Sequence, residues 1–170
     1  MMKKILIIVM LLIKLGHANT QIIGGYGVTS METLDFGTDD MVAENIFVGL
    51  ENRYLINKID TLVFTGLLSS NRKNSIAYLN ELELQIIFEK KMASRHYFGM
   101  GFNITHLLDE KFENFDFSGN GFGLNMSYKY KFSPKVAFNC QLYSNSYDIK
   151  SDSSTKFNVH TFRTFVSVYP

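Results

Sequence analysis

Apolar and polar residues alternate at every second position along most of this chain, and that alternation constrains its fold more than any other feature. From Ser75 to Glu89, Ile76, Tyr78, Leu82, Leu84, Ile86 and Phe88 share one parity, while Glu81, Glu83, Gln85 and Glu89 share the other. A helix would mix the two sets, whereas a strand places them on opposite faces. Gly121 to Phe132 repeats the arrangement, with Phe122, Leu124, Met126, Tyr128, Tyr130 and Phe132 set against Gly121, Gly123, Asn125, Ser127, Lys129 and Lys131. Phe98 to Ile104 and Val136 to Leu142 alternate in the same way.

Two further alternating segments, Asn45 to Leu55 and Ile59 to Ser69, join a Gly-rich first segment near Gln21 to Ser30 and a last one from Lys156 to Tyr169. The total is eight predicted strands. Connections near Asn57-Lys58, Lys90 to Ser94 and Ser133-Pro134-Lys135 are of hairpin length. The others, Met31 to Glu44, Ser70 to Asn74, His106 to Ser118 and Tyr147 to Thr155, are mostly longer and polar. Tight turns at one end and larger loops at the other describe an eight-stranded antiparallel up-and-down transmembrane β-barrel. The composition agrees, because 46% of the 170 residues are hydrophobic, only 19% are charged, and 15 Phe and 9 Tyr need a place. Tyr54, Phe88, Phe98, Tyr130, Phe132 and Phe138 fall near the tight-turn ends, where an aromatic girdle meets lipid headgroups.

The first 18 residues are read as a signal peptide: Lys3 and Lys4 precede an apolar run from Ile5 to Ile13, followed by the small residues of Gly16-His17-Ala18. Residues 19–170 then form one barrel domain, exported to the bacterial outer membrane. A formal charge of +1 for the whole chain removes the electrostatic basis for nucleic-acid binding. With one Cys and no Trp, neither a disulfide framework nor a Cys-based metal cluster is available, and no cofactor or metal is expected.

The signal peptide, eight alternating strands, three tight turns, four larger loops and a terminal strand ending at Tyr169 resemble the small outer-membrane barrels of the OmpA and OmpX type. Pro170 departs from that pattern, which ends on the aromatic itself. The resemblance implies a membrane-anchored structural or adhesin-like protein, porin-like in architecture, with extracellular loops free to engage a host or extracellular ligand. Outer-membrane lipid is its surrounding partner and the expected state is a monomer. The alternative is a secreted, lipocalin-like soluble barrel that turns its apolar face inward around a small apolar ligand.

On the presumed lumen face, Glu51 and Arg53 lie on the second strand, Glu81 and Glu83 on the fourth, Lys129 on the sixth and Arg163 on the eighth. Strands two and six, and four and eight, are opposite in an eight-membered ring, so acid faces base across a space that side chains fill. A plugging charge network is expected, with Glu51 level with Lys129 and Glu83 level with Arg163; the alternative is charges solvated by lumen water with no special pairing. Arg163 in the lumen requires Phe162, Val166 and Val168 to face lipid. No catalytic residues are expected: His96, His106 and His160 stand in none of the usual hydrolase or metalloprotease motifs, and the chain is read as not an enzyme. Recognition is assigned to the acidic, aromatic loops, with Asp35, Asp39, Asp40, Asp109, Glu110, Phe112 and Phe115 as binding candidates.

Overall fold

The computed structural model describes residues 20–33, 41–73, 76–108, 111–112, 115–149 and 152–168. Its strands are β1 (Gln21–Thr33), β2 (Met41–Leu55), β3 (Asp60–Lys73), β4 (Ile76–Lys91), β5 (His96–Leu107), β6 (Lys111–Phe112), β7 (Phe115–Lys131), β8 (Val136–Ile149) and β9 (Asp152–Val168). All pair antiparallel, in the order β5-β4-β3-β2-β1-β9-β8-β7, and a β5–β7 ladder closes the ring. β6 pairs only with the start of β7 and stands outside the closed eight-stranded ring. The predicted signal peptide lies outside the described residues.

Below the bulged hairpin tips, every barrel ladder joins odd-numbered residues to odd and even to even, as in Gln21 with Glu51 and His96 with Tyr130. Directly paired residues point to the same face. Odd positions on all eight strands therefore face the lumen, and even positions face outward. Ile86, Phe102, Phe122, Leu124 and Val166 are exposed, while Glu83, Asn103, Lys129 and Arg163 are buried. Asn52 is the exception, an even residue buried where Thr20 donates to its side-chain oxygen at 2.5 Å. A soluble barrel would need the opposite arrangement, so the lipocalin-like alternative fails on the exposure of its apolar side chains.

One row of pairings fixes the shape. Starting at Ile23, it runs through Gly49, Leu67, Glu83, Thr105, Gly121, Tyr147 and Phe157, and re-enters β1 at Thr33, ten residues beyond its origin. A stagger of ten residues over eight strands tilts them by about 40° to the barrel axis, given about 3.3 Å per residue and about 4.8 Å between strands. The outward residues from Phe122 on β7 to Phe132 just past its end then cover about 25 Å along the axis, the height of an outer-membrane apolar band.

All four predicted large loops are shorter than expected because the strands continue into them, the first because β1 runs to Thr33 and β2 begins at Met41. β3 ends at Lys73 and β4 begins at Ile76; β8 ends at Ile149 and β9 begins at Asp152; β7 already begins at Phe115. Beyond the lipid band the hairpins no longer need an apolar exterior, so polar residues there keep ladder geometry and mask the strand signal. The register shifts at Asn71/Arg72 and Asp148/Ile149 mark where this happens.

Gly101 faces inward at a close approach of strands, where an added Cβ would collide with the backbone oxygen of Ile86. Gly66 faces outward, and its nearest such contact is Leu84 Cδ2 at 3.8 Å. Gly101→Ala should lower the unfolding free energy in vesicles by about 1–3 kcal/mol, as overpacking does, whereas Gly66→Ala should leave the urea midpoint unchanged. Equal effects would show that the two faces are packed alike.

Candidate functional site

The lumen is the protein's core, and it is layered. Read up β4 from the tight turn, the inward residues are Glu89, Ile87, Gln85, Glu83, Glu81 and Leu79, which run from charged through apolar to charged and then to apolar again. Met31, Ala43, Leu79, Leu107, Tyr147, Phe157 and Val159 form one buried apolar cluster at the loop end. Ile23, Phe47 and Leu67, with Phe165 packed on them, form another nearer the turns. Lumen charges are grouped between these apolar clusters and at the turn end.

The turn-end group joins β2, β4 and β7. Arg53 Nη1 donates to Glu51 Oε1 at 2.8 Å, and its Nη2 donates to Glu89. Lys129 Nζ reaches across the lumen to Glu51 Oε1 at 3.5 Å and Glu89 Oε2 at 3.2 Å. Gln21 also donates to Glu51. Two acids and two bases balance formally here. Glu89 was not among the sequence-predicted lumen charges, although it shares the parity of Glu81 and Glu83; its place beside the turn hid it.

The second group is centred on Arg163, which has no accessible surface. Its Nη1 and Nη2 donate to the two carboxylate oxygens of Glu83 at 2.9 and 2.5 Å, and its Nε donates to Asn45 at 2.6 Å. Cζ lies 4.7 Å from the ring centre of Phe47 and 4.4 Å from that of Tyr143, so the guanidinium is stacked between two aromatic rings. Its planar fork suits this site, because it pairs a carboxylate through two donors while presenting flat faces to the rings. Room for the stem comes from Gly27 on β1, the register partner of Arg163, where an added Cβ would sit 3.0 Å from Arg163 Cγ. Glu83 accepts further bonds from Ser69 at 2.7 Å and Gln85 at 3.1 Å.

Glu81 is equally buried but makes no ion pair among the described residues. It accepts hydrogen bonds from Tyr147, from Ser69 at 3.1 Å and from Asn71 at 3.2 Å. The structure thus brings Glu51, Arg53 and Lys129 together, joins Arg163 to Glu83, and holds Glu81 above them by neutral donors. Parity sets Phe47 with Glu51 and Tyr143 with Gln141, but sequence reasoning did not name Phe47, Tyr143 or Tyr147 as parts of the lumen site. Against the turn-end group lies a small cavity of about 20 Å³, lined by Glu51, Glu89, Lys129, Thr65, Gln85 and Gln141 among others. A polar space of that size has room for water.

Among the loop candidates, Asp35, Asp39, Asp40, Asp109 and Glu110 lie outside the described residues. Phe112 and Phe115 are directly paired at the β6–β7 hairpin. His106 Nδ1 lies 3.0 Å from the Asn120 side-chain oxygen, and His96 Nδ1 lies 2.7 Å from the Tyr128 hydroxyl. Cys140 is a free thiol on the outward face. No described group of three or more His, Cys, Asp or Glu is arranged to hold a metal ion.

No protein-family model matches the chain, and no curated protein matches it in sequence. Solved structures do match its fold. Neisserial surface protein A superposes with a TM-score of 0.63 over 88% of this chain and 96% of its own, at 11% identity. The outer-membrane enzyme PagL gives a TM-score of 0.54, 88% and 97% coverage and 9% identity. A de novo designed transmembrane β-barrel gives 0.51, 91% and 98%, and 14%. The chain has the fold of the small eight-stranded β-barrels of bacterial outer membranes, and its apolar exterior is that of a barrel in lipid. The expectation that the chain is not an enzyme is corrected by the same finding. PagL carries an enzyme on this architecture, so neither the barrel nor a lack of familiar motifs argues against catalysis.

Removing one partner of a buried pair leaves an uncompensated charge and costs about 3–5 kcal/mol. Arg163→Met should therefore lower the unfolding free energy in vesicles by that amount. Combining it with Glu83→Gln should recover more than half of the loss. Additive losses in the double-mutant cycle would show that the two side chains do not depend on each other.

Proposed function

We propose that this chain is a monomeric outer-membrane barrel whose lumen is closed by its own side chains and whose loop end acts in structural or adhesin-like surface contacts. The single observation that carries the closed lumen is the Arg163–Glu83 pair, held at mid-lumen between Phe47 and Tyr143 with no accessible surface. Support comes from the turn-end ion pairs and from the apolar cluster at the loop end. With the interior filled, solute traffic and a lumen ligand are both disfavoured, and contact with other molecules falls to the rims.

The loop rim has the chemistry for such contacts. Asp35, Asp39, Asp40, Asp109 and Glu110 make it acidic, and Phe112 and Phe115 place aromatics beside the third loop's charges. That combination suits a cationic or apolar extracellular partner. Neisserial surface protein A, with the same fold, bears the word surface in its name. A closed sheet also leaves no edge strand for a second copy to extend, which favours the monomer.

In planar bilayers the purified protein should show no large, stable conductance. Arg163→Ala should introduce conducting events, because it removes the central plug and its stacking. Steady conductance from the wild type would overturn the closed lumen. Deleting residues 109–117 should leave insertion and heat-modifiable migration intact while abolishing binding to host surfaces; unchanged binding would dismiss that loop as the contact.

A further inference from the structure

The tight-turn end carries a charge pattern that neither the lumen nor the loops account for. Segments 56–60, 90–96 and 131–136 hold six Lys and Arg residues against Asp60 alone, a net charge of +5. Segments 32–44, 70–75, 108–118 and 147–156 at the opposite end hold eleven acidic against five basic residues, a net charge of −6. Lys58, Lys90, Arg95 and Lys135 are exposed and form no ion pair among the described residues.

We propose that the turn end is an interaction surface for the phosphate-bearing headgroups of anionic phospholipids. Its position sets the depth. Tyr54, Phe64, Phe88, Phe98, Tyr130 and Phe132 point outward just above these turns, and such aromatics sit at headgroup level. Lys and Arg side chains one residue or a few beyond a girdle extend along apolar surface and put their charge among the phosphates.

The distribution selects a lipid plane over a single acidic macromolecule. Lys58 lies between β2 and β3, Lys90 and Arg95 at the β4–β5 turn, and Lys135 between β7 and β8. Those three turns are spread around the eight-stranded ring, so their cations form a ring and not a patch. A globular partner would touch one side of it. A leaflet surface meets every side at one depth, and each nearby cation adds electrostatic attraction to an anionic leaflet that salt weakens.

The test compares the wild type with the K58Q/K90Q/R95Q/K135Q variant, both folded in phosphatidylcholine vesicles containing trace spin-labelled phosphatidylglycerol or phosphatidylcholine. The motionally restricted fraction reports which lipid lies against the barrel. Wild type should prefer phosphatidylglycerol by about threefold or more at low salt, and the preference should fall towards one in 1 M NaCl. The variant should show a ratio near one with the same total number of restricted lipids, which certifies an intact barrel. A wild-type ratio of one, or a variant that keeps the wild-type ratio, would overturn the proposal. So would absence of lipid preference together with salt-sensitive, variant-abolished retention on immobilised polyglutamate, which would assign the ring to an acidic macromolecule.

Discussion

Hydrocarbon offers no partner to a backbone N–H or C=O, and the rest of this structure follows from that constraint. Each unpaired group would cost several kcal/mol, so a sheet that enters lipid must close on itself. Closure here is made by the β5–β7 ladder, with eleven registered pairs from His96–Tyr130 to His106–Asn120. The ten-residue stagger sets the tilt, the tilt sets the bore, and a bore of eight strands is narrow enough for side chains to fill.

Closure also inverts the usual distribution of chemistry. With lipid outside, the hydrophobic effect no longer drives apolar side chains inward, and the interior becomes the place where polar groups must satisfy one another. Charges taken out of water are tolerable only when paired and hydrogen-bonded. Arg53 and Lys129 against Glu51 and Glu89, and Arg163 against Glu83, meet that condition. Glu81 makes no ion pair among the described residues and is held instead by neutral donors from β3 and β8. The inward aromatics belong to the same solution, because Phe47 and Tyr143 cover the faces of a guanidinium whose edges are already bonded.

Strand number, facing and the opposition of β2 to β7 and of β4 to β9 were legible in the sequence, because a two-residue period carries facing directly and an even ring carries opposition. Arg163 is placed inward because a cation on the lipid face is costly and Phe162, Val166 and Val168 suit that face, against the competing claim of Tyr169 to it. What could not be read were features that alternation does not encode. Glu89 joins the network through its height in the barrel, which depends on the stagger and not on parity. Odd numbering turns Tyr143 and Tyr147 inward, but their contacts with Arg163 and Glu81 depend on height in the barrel. Strand ends beyond the lipid band were read as loops because residues such as Ser70, Asn71 and Arg72 show no alternation there. Activity was the least legible of all, since one architecture serves surface proteins, an enzyme and designed chains alike.

Odd residues face the lumen and even residues face lipid, and β7, the strand that closes the ring, tests this most directly. Single nitroxides would be placed at Leu124, Asn125, Met126, Ser127 and Tyr128 in a Cys140→Ser background, with the protein in lipid vesicles, and their accessibility to dissolved oxygen measured by spin-label relaxation. High accessibility at 124, 126 and 128 with low accessibility at 125 and 127 is the result expected. A flat profile, or high accessibility at the odd positions, would contradict the closed, inside-out barrel.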